Sequence, residues 1–220
     1  FLSYGSYVAH RVNVLCPYDL TLERHRLLWL YLKEQSNFFS ANKLDVLHIA
    51  PEQCFHKKFK NQKNLNYLTG DLVSPIADMH FDLHEIPLED NRFDVVFCNH
   101  VLEHVDDAHQ CMSELYRVMK PGAWAIMQVP QDFSREKTYE DKSITSPEER
   151  EKHFWQKDHV RLFGADYPEE VWNFLGNPPK YIDSKPIAYA DQHSKTFLVD
   201  LKPTQLPSVF SQLTGVEDLE

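Results

Sequence analysis

His100-Val101-Leu102-Glu103-His104 is the densest group of chemically able side chains in the sequence. Its spacing matches H-x-x-E-H, the inverted zinc-peptidase pattern, in which two imidazoles four apart on a helix ligate zinc. That chemistry needs a third protein ligand and a full helix around the motif. Here the motif begins where an apolar run, Phe93 to Cys98, gives way to Asn99 and His100. A run so dense in β-branched and aromatic residues reads as a strand buried on both faces of a parallel sheet. From Val101 the spacing becomes helical, and the helix is expected to run to about Lys120 and stop at Pro121-Gly122. Asn99, His100, Glu103 and His104 are thus expected at the carboxyl edge of a sheet, where open α/β sheets bind ligands. His100 and His104 are the candidate acid–base groups; the plainer expectation for His104 is to cap or pack the start of the helix.

The elements that must position these groups repeat upstream. Leu44 to Ala50 is a second buried run, followed by Pro51-Glu52-Gln53-Cys54 and a helix with Phe55 and Phe59 at i, i+4. Strand, tight loop and helix in this order open a nucleotide-binding α/β fold. The loop has no glycine, which speaks against close backbone approach to a pyrophosphate and leaves room for a ligand without phosphates. Asn64 to Thr69 predicts a strand ending at Gly70-Asp71, Asp78 to Leu83 another ending near Asp82, and Trp124 to Val129 a further one. Asp71 and Asp82 then share the edge of Asn99, either as site carboxylates or as plain helix N-caps.

Residues 1–20 read as irregular, and Cys16-Pro17-Tyr18-Asp19 is too little to bind zinc. A helix is expected from Thr21 as N-cap, with Leu27, Leu28, Leu30, Tyr31 and Leu32 inward and Glu23 to Arg26 a solvated turn. Residues 131–158 are long and charged, the pattern of a lid, with a short helix starting near Pro147. A helix around Glu169 to Leu175 and strands at Lys180 to Ile187 and Thr196 to Leu201 complete the pattern. The fold class is α/β, a doubly wound, mostly parallel seven-stranded sheet with helices on both faces. It forms one domain: cap 1–43, core 44–130, lid 131–175, terminal strands 176–203 and tail 204–220.

The 220 residues are 42% hydrophobic and carry 33 acidic against 23 basic side chains, a formal charge of −10. That balance disfavours non-specific nucleic-acid binding. Four cysteines without a C-x-x-C pair indicate a reducing compartment. No apolar run reaches membrane-spanning length and no signal-peptide pattern opens the chain, so a cytoplasmic, soluble protein is expected. The start at Phe1 suggests a chain cut at its front, and Leu219-Glu220 a cloning scar. The oligomeric state is left open.

Two blocks, IPLEDNRFDVVFCNHVLEHVDD and ELYRVMKPGAWAIMQVP, resemble the class I S-adenosylmethionine-dependent methyltransferases of the type 11 kind, over about Leu44 to Pro130. DHVRLFGADY is similar to a late segment of some of these enzymes. The resemblance implies a Rossmann-like fold and a cofactor site in which Asp71, beside Leu72, takes the ribose hydroxyls. Asp82, beside Leu83, would meet the adenine amino group, and Asn99 and His100 the methionine end. The first loop departs from the family's acidic-x-Gly-x-Gly-x-Gly. His48 stands at the acidic position, and no glycine occurs in the Ala50-Pro51-Glu52 stretch or at Cys54. Glu52 is expected to restore a carboxylate for the cofactor's ammonium, or else to be a first-turn residue favoured by the helix dipole. His25, His159 and Arg161 are expected at the acceptor, with Tyr139, His153 and Trp155 as lid packing. The implied activity is methyl transfer from S-adenosylmethionine to a small molecule, with no metal ligands assigned. A non-catalytic cofactor-binding or scaffold protein and, more remotely, a zinc hydrolase are the alternatives.

Overall fold

The computed structural model describes residues 2–4 and 11–167. Strands β1 (Leu2–Tyr4) and β2 (Arg11–Leu15) are followed by α1 (Glu23–Glu34), β3 (Leu44–Ile49) and α2 (Gln53–Lys60). Then come β4 (Leu65–Asp71), β5 (Met79–His80), β6 (Phe93–Cys98), α3 (Ala108–Val118) and β7 (Met119–Ile126). The last described elements are β8 (Tyr139–Glu140), α4 (Pro147–Phe154) and β9 (Arg161–Leu162). The main sheet has the order β5-β4-β3-β6-β7, with every pairing parallel. The fold class is therefore the expected Rossmann-like α/β arrangement, with five strands of the sheet among the described residues. The helix near Glu169 and the strands at Lys180 to Ile187 and Thr196 to Leu201 lie outside them.

Alternation along the strands sorts the core onto two faces. Val46, Val95, Phe97 and Ile126 meet Leu28 and Leu32 of α1 and Phe55 and Phe59 of α2. Leu47, Ile49, Val96, Cys98 and Ala125 meet Cys111, Met112, Leu115 and Val118 of α3. On the first face Phe59 stacks on Phe55 at 5.0 Å between centroids and meets Phe38 edge-on at 4.9 Å. Each such fully buried side chain stabilises the fold by about 1.5–3 kcal/mol.

Several boundaries differ from expectation. Residues 2–4 and 11–15 form an antiparallel pair rather than irregular chain. The N-cap of α1 is Leu22, because the Thr21 hydroxyl donates to Asp19 instead of capping. β5 is short, so Asp82 lies beyond the sheet. Pro121 and Gly122 fall inside β7 at a register irregularity opposite Phe93 to Val95, and Gly122 takes a left-handed φ of 81°.

The largest correction concerns H-x-x-E-H, which is not helical: residues 101–107 form turns, and α3 starts only at Ala108. The Arg161 guanidinium binds the carbonyls of Leu102, Val105 and Asp106, and the Val160 amide binds that of Glu103. Those are the acceptors that helix continuation would use. Asp107 caps α3 by accepting from the Gln110 amide at 3.0 Å.

Residues 131–166 are ordered chain built on the pairing of β8 with β9. Ser146 and Pro147 start α4 as N-cap and first helical residue. At Gly164 a Cβ would stand 2.5 Å from the Lys137 carbonyl carbon, so only glycine allows that approach.

Candidate functional site

The strand order reverses between β3 and β6: β4 and β5 extend the sheet on one side, β7 on the other. At such a reversal in open α/β sheets the loops of neighbouring strands diverge, and the crevice at the carboxyl edge is where ligands bind. Both loops turn through strained backbone, Ala50 at φ 49° and His100 at φ 55°. Left-handed non-glycine residues cost on the order of 1–3 kcal/mol and cluster at functional sites. Backbone hydrogen bonds hold them there, from the Ala50 amide to Gly70 at 2.8 Å and from the His100 amide to Gln128 at 2.7 Å.

Glu52 is the hub of this crevice. It is the N-cap of α2, yet its side chain makes no cap hydrogen bond and turns away from the helix. Oε2 accepts from Asn99 Nδ2 at 3.1 Å and pairs with His48 Nε2 at 3.2 Å. Oε1 faces His25 Nε2 at 3.3 Å, within ion-pair reach though long for a hydrogen bond. Tautomers follow from the hydrogen-bond partners. The Leu22 amide donates to His25 Nδ1 at 3.0 Å, which leaves the proton on Nε2, toward Glu52. The Glu52 carboxylate can only accept, so His48 carries its proton on Nε2 and its Nδ1 accepts from the Tyr67 hydroxyl at 2.8 Å; burial, then Glu52, push that phenol upward and keep it protonated. Burial alone would raise the Glu52 carboxyl, but the facing His25 ring and the His48 hydrogen bond outweigh it and hold the carboxyl well below its ordinary value. His48 is wholly buried behind Glu52, so it positions that carboxylate and does not line the crevice.

Of the other expected cofactor residues, Asp71 stands at the carboxyl end of a strand of the same sheet and Asp82 lies beyond β5. Asp71 ends β4, and its Oδ1 accepts from the amides of Val73 at 2.8 Å and Ser74 at 2.7 Å. Leu72 beside it is exposed, Pro51 is buried, and Leu83 belongs to the core. Asp82 is exposed, and its Oδ1 binds the His84 amide at 2.9 Å and ring Nδ1 at 2.6 Å.

A second cluster forms beside the first. His100 Nδ1 lies 3.3 Å from Oε1 of Glu103, which is buried. Glu103, His104 and His159 bring ligand-capable atoms within 4.8 Å of one another, and His100 is not among them. His159 is buried, and desolvation lowers its imidazole below the ordinary value. Arg161, expected at the acceptor, is corrected: it is 2% exposed and committed to three backbone carbonyls and to Glu140. His25, also expected there, belongs to the Glu52 network. Sequence reasoning missed the partnership of His159 with Glu103, because the Val160 amide and the Arg161 guanidinium bring together segments far apart in sequence. Burial pushes the Cys98 thiol far up and those of Cys54 and Cys111 to about 12, away from the thiolate form that nucleophilic chemistry uses.

Residues 34–127 match the family model described as a methyltransferase domain, a span that begins at the end of α1 and closes after β7. The matched span contains Glu52, Asp71, Asn99 and Glu103, while His25 and His159 lie outside it. The chain is 44% identical over 45 residues to the ubiquinone/menaquinone biosynthesis C-methyltransferase UbiE of Desulfotalea psychrophila, 20% of this chain and 18% of that protein. It is 36% identical over 64 residues to an uncharacterized 37.1 kDa protein in a transposon of Streptomyces fradiae, 29% of this chain and 19% of that one. The matches thus span about a fifth of these curated relatives. Among solved structures, a methyltransferase from Archaeoglobus fulgidus aligns with a TM-score of 0.47 at 15% identity over 86% of both chains. One from Aquifex aeolicus aligns at 0.37 and 17% identity, over 45% of this chain and 63% of that one.

Proposed function

We propose that the chain binds S-adenosylmethionine at the carboxyl edge of β3, β4 and β6 and transfers its methyl group to a small-molecule acceptor. The observation that carries this reading is the Glu52 carboxylate, kept charged at the strand-order reversal by His25, His48 and Asn99. Among the described residues Glu52 Oε1 and Asn99 Oδ1 are buried acceptors without a hydrogen-bond donor. An ammonium group supplies donors to such atoms, so the residues present fit the methionine end of the cofactor. Asp71 with Leu72 is assigned to the ribose, Asp82 with Leu83 to the adenine, and the Ala50-Pro51 turn to the backbone wall. His48 holds Glu52 from behind.

When bound, the sulfonium supplies an electrophilic methyl and leaves as a neutral thioether. Positioning by the crevice then provides most of the rate. Where the acceptor must lose a proton, His100 is the base. Glu103 on Nδ1 leaves the lone pair on Nε2, a buried atom without a hydrogen-bond partner among the described residues. With a formal charge of −10, neither nucleic acid nor an anionic membrane is a proposed partner, and the proposed compartment is the cytoplasm. No helix among the described residues is long and apolar enough to cross a membrane. Strained Ala50 at a glycine position favours a second reading, cofactor binding without catalysis.

The test is incubation with methyl-labelled S-adenosylmethionine and a panel of hydroxyl, amine, thiol and carbon-acid acceptors. Labelled product that falls about 10²–10⁴-fold in His100→Gln supports the proposal for a proton-losing acceptor. Cofactor binding without product across the panel would move the conclusion to the second reading, and neither binding nor product would overturn both.

A further inference from the structure

We infer that Glu103, His104 and His159 form a site for a divalent transition-metal ion, one that the family resemblance does not supply. Their ligand-capable atoms already lie within 4.8 Å of one another. Glu103 is 1% exposed, and its Oε2 has no hydrogen-bond partner among the described residues. A carboxylate oxygen taken out of water without a partner is strongly destabilising unless an ion or donor meets it.

The imidazoles are set as metal ligands are. His159 Nδ1–H donates to the Phe154 carbonyl at 2.8 Å, which leaves the Nε2 lone pair free to ligate. His104 Nδ1 faces Asp158 Oδ2 at 3.3 Å, a carboxylate–imidazole pair of the kind that orients a ligating histidine. The rings stand edge to face with centroids 4.7 Å apart. The two segments are pinned independently of any ion, since the Val160 amide binds the Glu103 carbonyl at 2.9 Å and Arg161 the carbonyls around it. This staple gives the buried arginine its role: it holds a preformed donor set.

Two imidazoles and one carboxylate suit zinc, manganese, iron or cobalt and leave coordination positions open, whereas magnesium and calcium prefer oxygen donors. Donors about 2.1 Å from a tetrahedral ion are about 3.4 Å apart, so binding draws the three side chains inward. His100 lies against Glu103 Oε1, which places the ion beside the proposed catalytic base. There an open position would hold an acceptor oxygen. That role rests on the methyl-transfer reading; the ion site itself does not.

The experiment uses the untagged chain, stripped with chelator and titrated calorimetrically with Zn²⁺ and, separately, Mn²⁺, with visible absorption of the Co²⁺ form as a second readout. One ion per chain is expected, with affinity about 10–100-fold lower in His104→Gln and His159→Gln. Glu103→Gln keeps the buried shape, so its loss of affinity and changed Co²⁺ spectrum separate ligation from folding. No stoichiometric binding of Zn²⁺, Mn²⁺ or Co²⁺ to the folded chain, or equal affinity in all three variants, would overturn the site. Metal binding without S-adenosylmethionine binding leaves the site and removes the methyl-transfer reading; cofactor binding without metal does the reverse.

Discussion

A nearly buried carboxylate stays charged only where hydrogen bonds replace its water, and Glu52 has that arrangement from His48 and Asn99, with His25 facing it. The same burial acts oppositely on imidazoles. Desolvation lowers His25 and His159 from 6.5, against the partial compensation of Glu52 and Glu103. The unfolded chain therefore takes up protons near 6.5 that the folded chain refuses until lower pH. Stability is full above that value and declines as pH falls below it. Melting temperature measured in chelator from about pH 7.5 to 5.5 should fall, and a flat profile would contradict the buried neutral imidazoles. At this scale the sequence indicated Glu52 by its place in the first loop. It could not indicate that His25 would meet it, because that contact depends on how α1 packs against α2.

At the scale of elements, runs such as Leu44 to Ile49 and Phe93 to Cys98 were legible because burial on both faces leaves no room for polar residues. The turn at residues 101–107 was not. Val101 and Val105 imitate helical spacing, and the group that diverts their backbone, Arg161, lies 55 residues beyond Asp106. Arg161→Met should strand the carbonyls of Leu102, Val105 and Asp106 and destabilise the chain by about 3 kcal/mol or more, at about 1–3 kcal/mol per buried unsatisfied group. Urea unfolding measures this, and a loss below about 1 kcal/mol would mean that water replaces the guanidinium. The same substitution should loosen the ion site, since His159 would no longer be held against Glu103.

Over the whole molecule, the proposed site and a stabilising ion-pair bridge occupy opposite edges of one sheet. At the amino edge Lys120 bridges Asp45 at 2.7 Å and Asp94 at 2.9 Å, tying the starts of β3 and β6 together. At the carboxyl edge the loops of the same two strands carry left-handed backbone at Ala50 and His100 and the nearly buried Glu52 carboxylate. Doubly wound topology was readable from the alternation of apolar runs and helical spacing. The ordered insert after β7 was not, since its pairing of residues 139–140 with 161–162 leaves no periodic trace in so charged a stretch.

The measurement that tests the account most directly is calorimetric titration of the chain with S-adenosylmethionine and S-adenosylhomocysteine, beside Glu52→Gln and Asp71→Asn. One site per chain is expected, weakened about tenfold or more by Glu52→Gln, a loss of about 1.4 kcal/mol, and also weakened by Asp71→Asn. No binding of either ligand to the folded chain, or binding indifferent to Glu52→Gln, would contradict it.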